Sequence, residues 1–353
     1  MFQKSASSDA THHINNASNS DANRHITIVG AGVAGAWQAL SFAKAGYSVK
    51  LVERDDAAMT HATSHFAGGM LAPWCEQETS EPVITRLGTR SLDLWRNELP
   101  DTPFNGSLVV AHPRDRADFD HFARITSDYE RLDADAIDRL EPSLEGRFRE
   151  ALFFPHEGHV EPRRVLPQLH EKITKAGGEI RFNSACEPEQ LAGDGGIVID
   201  CRGIFARDAV KDVRGVKGEM IIVETDEVSL SRPVRVMHPR WPLYVIPREE
   251  HRFMIGATSI ESEDNRVSVR SALELLSAAY ALHPAFGEAR ILEIGAGLRP
   301  ALPDNLPRIA VNGNRIAVNG LYRHGFLLAP ALAELTVNYV ARGLIDNEVM
   351  QCS

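Results

Sequence analysis

HITIVGAGVAGAWQALSFAKAGYSVKLVE, residues 25–53, decides the fold. HITIVG is a short β-rich run, AGVAGAWQALSFAKAG carries apolar residues at helical spacing, and YSVKLVE returns to strand. Strand, glycine-rich turn, helix and strand in that order form a βαβ unit, for which parallel pairing and a right-handed crossover are expected. Gly30, Gly32 and Gly35 stand at the G-x-G-x-x-G spacing. The first permits the tight turn, the second lets backbone approach a pyrophosphate, and the third lets helix and strand pack closely. Unpaired N–H groups and the positive end of the helix dipole then face the phosphates. Glu53 closes the second strand, where its carboxylate can accept both ribose hydroxyls, and Arg54 follows at the same end. Gly46 falls where a helix C-cap glycine belongs. A carboxylate at Glu53 would repel the 2′-phosphate of NADP; the glycine triplet admits NAD and FAD alike.

Around this unit lie 353 residues, 43% of them hydrophobic, enough for one large or two moderate domains. A net charge of −10 leaves no basic footprint for nucleic acid or an anionic membrane. No run approaches transmembrane length. Cys75, Cys186, Cys201 and Cys352 lie far apart with neither CxxC nor zinc-like spacing, which suits free thiols in a reducing cytoplasm and points to no metal. Residues 1–23 are polar and read as a disordered leader, whose His12-His13 pair makes a poor chelate.

Further along, residues 83–99 place Val83, Leu87, Leu94 and Trp95 on one helical face, and FNGSLVVA reads as a strand. Helix is expected across 115–141 and, opened by Pro162, across 162–176; ALFFP, GEIRF and GIVIDCRG read as strands. Residues 219–260 are β-rich with turns between the runs, so an antiparallel sheet is expected, followed by a helix at 268–282. The chain closes with one strand, RIAVNG, and a helix with Pro330 in its first turn. No internal repeat is expected. The fold class expected is α/β, with a discontinuous nucleotide-binding domain (24–84, 155–218 and 288–353) and an inserted antiparallel-sheet domain (85–154 and 219–287).

Six further motifs come in a telling order. HATSHFAGGMLAPWCE (61–76), GHVEP (158–162), VIDCRG (198–203), LYVIPR with FMIGAT (243–258), GLRPALPDNLPRI (297–309) and GLYRHGFLLAPALAE (320–334) resemble the D-amino-acid oxidase superfamily, most closely the glycine oxidases of thiamine biosynthesis. The likeness runs from about residue 25 to 345. It implies a Rossmann-type FAD-binding domain with a substrate domain inserted. It also implies oxidation of glycine, with sarcosine and small D-amino acids as further candidates, to the imine and glyoxylate, with O2 reduced to H2O2.

The resemblance places Arg299 on the substrate carboxylate, Tyr244 as a substrate-facing phenol and Arg323 beside flavin and substrate. Ala67, Gly68 and Gly69 would lay backbone against the flavin, Met70 would line the pocket, and Gly325 would bring N–H groups to the pyrimidine edge. A planar guanidinium can grip a carboxylate by two parallel hydrogen bonds, and no protein nucleophile is needed because the cofactor carries the chemistry. Tyr244 alternates with Leu243 and Val245, so a core tyrosine with a satisfied hydroxyl competes with the site role. Met70 likewise suits a core methionine, and Arg323 a structural ion pair. His65 stands further from the glycines than in relatives with covalent flavin, so FAD is expected to be noncovalent. Relatives of this kind are often tetramers, so a homotetramer is one candidate assembly and the oligomeric state stays open. A D-amino-acid or hydroxyproline dehydrogenase with another electron acceptor, a catalytically silent flavin subunit and an NAD-dependent dehydrogenase stay open.

Overall fold

The computed structural model of the chain describes residues 25–191, 196–237 and 243–352. The expected leader, with His12-His13, and residues 238–242 within the β-rich stretch lie outside the described residues. The βαβ unit forms as β1 (His25–Val29), α1 (Val33–Lys44) and β2 (Ser48–Val52), with the two strands parallel from His25↔Ser48 to Val29↔Val52. β1 lies inside a seven-stranded sheet, with Ile197–Asp200 parallel on its other side and Glu179–Arg181 beyond β2. Beyond Ile197–Asp200 come Arg315–Asn319, Arg308–Asn312 and Met350–Cys352. Ile26, Ile28, Leu51 and Ile199 are fully buried, as expected of parallel strands covered on both faces.

Where one terminal strand was expected there are two. RIAVN occurs at 308–312 and again at 315–319, a tandem repeat, and the copies pair antiparallel around a turn at Gly313 (φ 58°). The register sets Arg308 against Asn319, Ile309 against Val318 and Ala310 against Ala317.

A second sheet of nine strands takes Ser107–Val110, Glu130–Asp133 and Glu150–Phe154 from one excursion of the chain. Six more come from a later one: Arg214–Glu224, Val234–Val236, Leu243–Pro247, Arg252–Gly256, Ile260–Glu261 and Arg290–Ala301. Val234–Val236 runs parallel to Ser107–Val110, while the other named pairings of this sheet are antiparallel. That junction joins two separate excursions, so no hairpin constrains its direction. Arg290–Ala301, expected in the nucleotide-binding segment, pairs here along its length with Arg214–Glu224. The 115–141 stretch, expected to be helical, divides into Arg116–Ile125, Glu130–Asp133 and Ala134–Leu140. Asp128 takes a left-handed conformation (φ 61°) after the first helix, and Asp133 caps the second by accepting from Ala136 N–H.

The last helix starts at Gly325, not at Pro330, and runs to Arg342 with Gly343 (φ 69°) as its cap. Pro330 is therefore interior, where it has no N–H to give to the carbonyl of Phe326. Trp95 Nε1–H takes that place at 2.9 Å, and Ala331 N–H donates to Ser91 Oγ at 3.2 Å. Both partners sit on Pro82–Glu98, so most of this helix, expected with the inserted domain, packs against the C-terminal helix instead. Among the described residues no helix is long and apolar enough to cross a membrane.

Glu157 ties the two parts together from a fully buried position. One carboxylate oxygen accepts from Trp74 N–H at 3.0 Å and Cys75 N–H at 2.8 Å, and the other from the Ser107 hydroxyl. Burial pushes its carboxyl up to about 8, against the opposing pull of the Ser107 and backbone bonds.

Two stability measurements follow from these contacts. Trp95→Phe strips the Phe326 carbonyl of its donor and should cost about 1–3 kcal/mol in urea unfolding of the flavin-loaded protein. An unchanged midpoint would mean that another donor reaches this carbonyl. For Glu157 the folded pKa is raised, so the native state binds the proton more tightly than the unfolded chain. Its contribution is full below the ordinary value of 4.5 and is lost as pH rises through about 8. Glu157→Gln keeps one oxygen to accept from both N–H groups and can donate to Ser107, so its thermal midpoint should gain on that of the wild type as pH rises across this window. Parallel pH profiles would count against this account.

Candidate active site

A cavity of about 480 Å³ opens between the two sheets, within the range typical of small-molecule sites. Gly30, Gly32, Glu53, Arg54, Ala67, Gly68, Gly69, Met70, Tyr244, Arg299, Arg323 and Gly325 all line it. Of the predicted site residues only Gly35 does not, and its job is packing: a Cβ there would lie 1.8 Å from the Gly30 carbonyl oxygen.

At one end the turn between β1 and α1 is gripped through Ala31. Its N–H donates to Glu53 Oε2 at 2.6 Å, and its carbonyl lies 3.0 Å from His170 Nε2, a bond that needs the Nε2-protonated tautomer. Glu53 Oε1 accepts from Asp55 N–H at 3.0 Å, so the carboxylate is already oriented by backbone. Gly30 has φ 98°, and a Cβ there would meet the Cys201 carbonyl oxygen at 2.7 Å. Ser64 Oγ accepts from Val33 N–H at 3.1 Å, and the Thr63 hydroxyl donates to the Leu298 carbonyl at 2.8 Å. These two bonds draw the 61–71 segment across the cavity between α1 and the strand carrying Arg299. Phe66 packs beside that strand at Gly295, where a Cβ would lie 2.8 Å from its ring. The Arg54 guanidinium stacks 3.7 Å over Phe205. Helix N-termini at Val33 and at Gly325 both border the cavity. A glycine turn that no side chain could replace, an oriented carboxylate and two positive helix ends fit a dinucleotide of the FAD type. His65 does not line the cavity, although Ser64 and Phe66 do.

The other end is built on strands. Arg299 pairs with Val216 in the sheet, and its guanidinium lies over Gly218, where a Cβ would come within 2.2 Å of a guanidinium nitrogen. Among the described residues its one hydrogen bond runs from Nη1 to the Thr258 carbonyl at 2.9 Å, and no carboxylate pairs with it. Burial, reinforced by the nearby Arg323 charge, lowers its pKa to about 10. Arg323, by contrast, has a partner: Nη2 lies 2.7 Å from Glu76 Oε2. Tyr244 donates its hydroxyl to Glu76 Oε1 at 3.1 Å, and lies 3.6 Å from Cys75 Sγ. It is both a buried strand tyrosine with a satisfied hydroxyl and a wall of the cavity.

Protonation states follow from these neighbours. Burial would raise the Glu76 carboxyl, but Arg323, His324 and Arg235 together outweigh it and hold it at about 2. His324 falls to about 4, through burial and the arginine charges, against the attraction of Glu76. Burial lifts the Cys75 thiol to about 12, with Glu157 adding to the rise, and lifts Tyr244 well above its ordinary range. Neither thiol nor phenol is therefore a base at neutral pH. This end offers an anion receptor and fixed hydrogen-bond geometry, and leaves the redox chemistry to a cofactor.

Glu76 and Arg235 escaped the sequence reading. Glu76 closes the quoted segment 61–76, and a charge directly after the apolar run MLAPWC was the available signal. Arg235 stands alone between valines in a buried strand, where it pairs with Glu78 and donates to the Cys75 carbonyl at 2.8 Å. A lone charge within an apolar strand marks an inward-facing ion.

Known proteins share this architecture. The family model for FAD-dependent oxidoreductases of the DAO type matches residues 25–339. A Rhizobium etli protein named for a thiamine biosynthesis oxidoreductase, ThiO, is 50% identical over 325 residues, covering 92% of this chain and 97% of that one. The bifunctional protein ThiO/ThiG of Trichormus variabilis is 27% identical, covering 92% of this chain and 53% of its own length. The crystal structure of glycine oxidase from Geobacillus kaustophilus superposes with a TM-score of 0.74 at 25% identity, over 90% of this chain and 94% of that one. The chain thus belongs to the DAO family and is an FAD-dependent oxidoreductase of the glycine oxidase type.

Proposed function

We propose that this enzyme oxidises glycine, with sarcosine and small D-amino acids as lesser substrates, to the imine that water converts to glyoxylate and ammonia. The observation that carries the reading is Arg299: a guanidinium in the cavity wall with one backbone bond and no carboxylate partner among the described residues. A small carboxylate is the ligand this geometry lacks. FAD, held noncovalently at the Gly30–Gly35 turn, would supply the two-electron oxidation, with O2 as the final acceptor and H2O2 as its product.

The residues of the chain do the rest. Arg299 fixes the substrate carboxylate and so the direction in which the α-carbon faces. Tyr244, immobilised by its bond to Glu76, forms a wall beside it. Met254 and Ile246 add apolar surface that excludes water and favours a small substrate. The positive end of the Gly325–Arg342 helix favours negative charge developing at its edge of the cavity. The relatives named for thiamine biosynthesis support a place for the imine in making the thiazole ring, the more so since one is fused to a second protein, ThiG.

Anaerobic titration of the yellow holoprotein with glycine should bleach the flavin, and air should restore it. Bleaching without recovery in air would favour the dehydrogenase alternative, and no bleaching by glycine would sink the glycine reading. Arg299→Ala should weaken substrate binding by about 2–5 kcal/mol, as expected on losing one partner of a buried charge pair, with most of the loss in KM. Glycine kinetics equal to those of the wild type would remove Arg299 from the site.

A further inference from the structure

Both arginines at the substrate end are cations in a shared wall, but they differ in what cancels them. Glu76 Oε1 accepts the Tyr244 hydroxyl, and Oε2 lies 2.7 Å from Arg323 Nη2 as an ion pair with no hydrogen bond of its own, so its charge is set against Arg323. The other groups around Glu76 add no spare charge, and burial keeps the nearby Glu157 carboxyl up at about 8, protonated at neutral pH. Arg235 is matched by Glu78 and the Cys75 carbonyl. His324 lies 3.8 Å away and is neutral, and Cys75 and Tyr244 keep their protons. Two guanidiniums and one carboxylate thus leave a single net positive charge, and it sits on Arg299. A ligand with one carboxylate neutralises the site. A ligand with a second anionic group must set that group against Glu76, in a cavity where charge repulsion is little screened.

We infer that Glu76 determines specificity by charge: it spends Arg323 within the protein, and so confines the site to ligands carrying one anionic group. The inference rests on the reading of Arg299 as the carboxylate receptor. Rejection works by placing an unfavourable charge against the wrong ligand and needs no better contact with the right one.

Malonate and its monoamide, malonamate, have nearly the same shape and differ by one charge. Their binding to the holoenzyme can be read from the shift they cause in flavin absorbance, without turnover. Wild type should prefer malonamate by about tenfold. Glu76→Gln keeps an acceptor for Tyr244 while releasing Arg323, and should move the ratio at least about tenfold toward malonate. Equal or tighter binding of malonate by wild type overturns the inference, and this arm stands even if the variant does not fold. A folded variant with an unmoved ratio overturns it too, as does equal weakening of both ligands, which marks a purely structural support. Binding of neither ligand removes the carboxylate receptor and the inference with it. Failure to oxidise glycine, in contrast, leaves this binding test intact.

Discussion

The structure depends on a single close passage of backbone. β1 gives way to Gly30, whose carbonyl oxygen leaves no room for a side chain on Gly35, while the Cys201 carbonyl leaves none on Gly30. Three segments therefore meet with nothing but main chain between them. That contact lets α1 begin at the lip of the cavity, aims its N-terminus inward and fixes Ala31 where Glu53 and His170 can hold it. Any Cβ at these positions would push the helix off the sheet and the phosphate-binding turn with it.

From this corner the remaining parts of the site are placed by relay. Ser64 and Thr63 join the helix end to the strand bearing Arg299, and Glu157 steadies the turn at Trp74 and Cys75 that delivers Glu76. Pro330 disturbs the last helix, yet the carbonyl it frees becomes an anchor for Trp95. The N-terminus of that helix borders the same cavity as the first. Buried polar groups are costly unless partnered, and here most of the partnerships cross from one chain segment to another. The effect is to make the site stiff.

The substrate end shows how the same residue type can serve opposite purposes. Arg323 and Arg235 are each paired with a carboxylate within the protein, which makes them parts of the wall. Arg299 has, among the described residues, only the Thr258 carbonyl, which leaves its charge open to a ligand. Charge cancelled inside the fold costs little further on binding; charge left over is what a ligand can use.

Local sequence was enough for the dinucleotide half. Glycine spacing, strand patterning and Glu53 are all contained within 29 residues, where short-range sterics and periodicity decide conformation. The order of later motifs carried the family, and with it Arg299, Tyr244 and Arg323. Other features were settled only in three dimensions. Arg290–Ala301 joined the second sheet because its partner, Arg214–Glu224, lies far earlier in the chain, beyond the reach of any local pattern. The last helix ran through Pro330 because Trp95 and Ser91, more than 230 residues away in sequence, supplied the missing bonds. Glu76 became a partner of Arg323 for the same reason: pairing of buried charges depends on which side chains the fold brings within about 3 Å, and that distance is written in no single stretch of sequence.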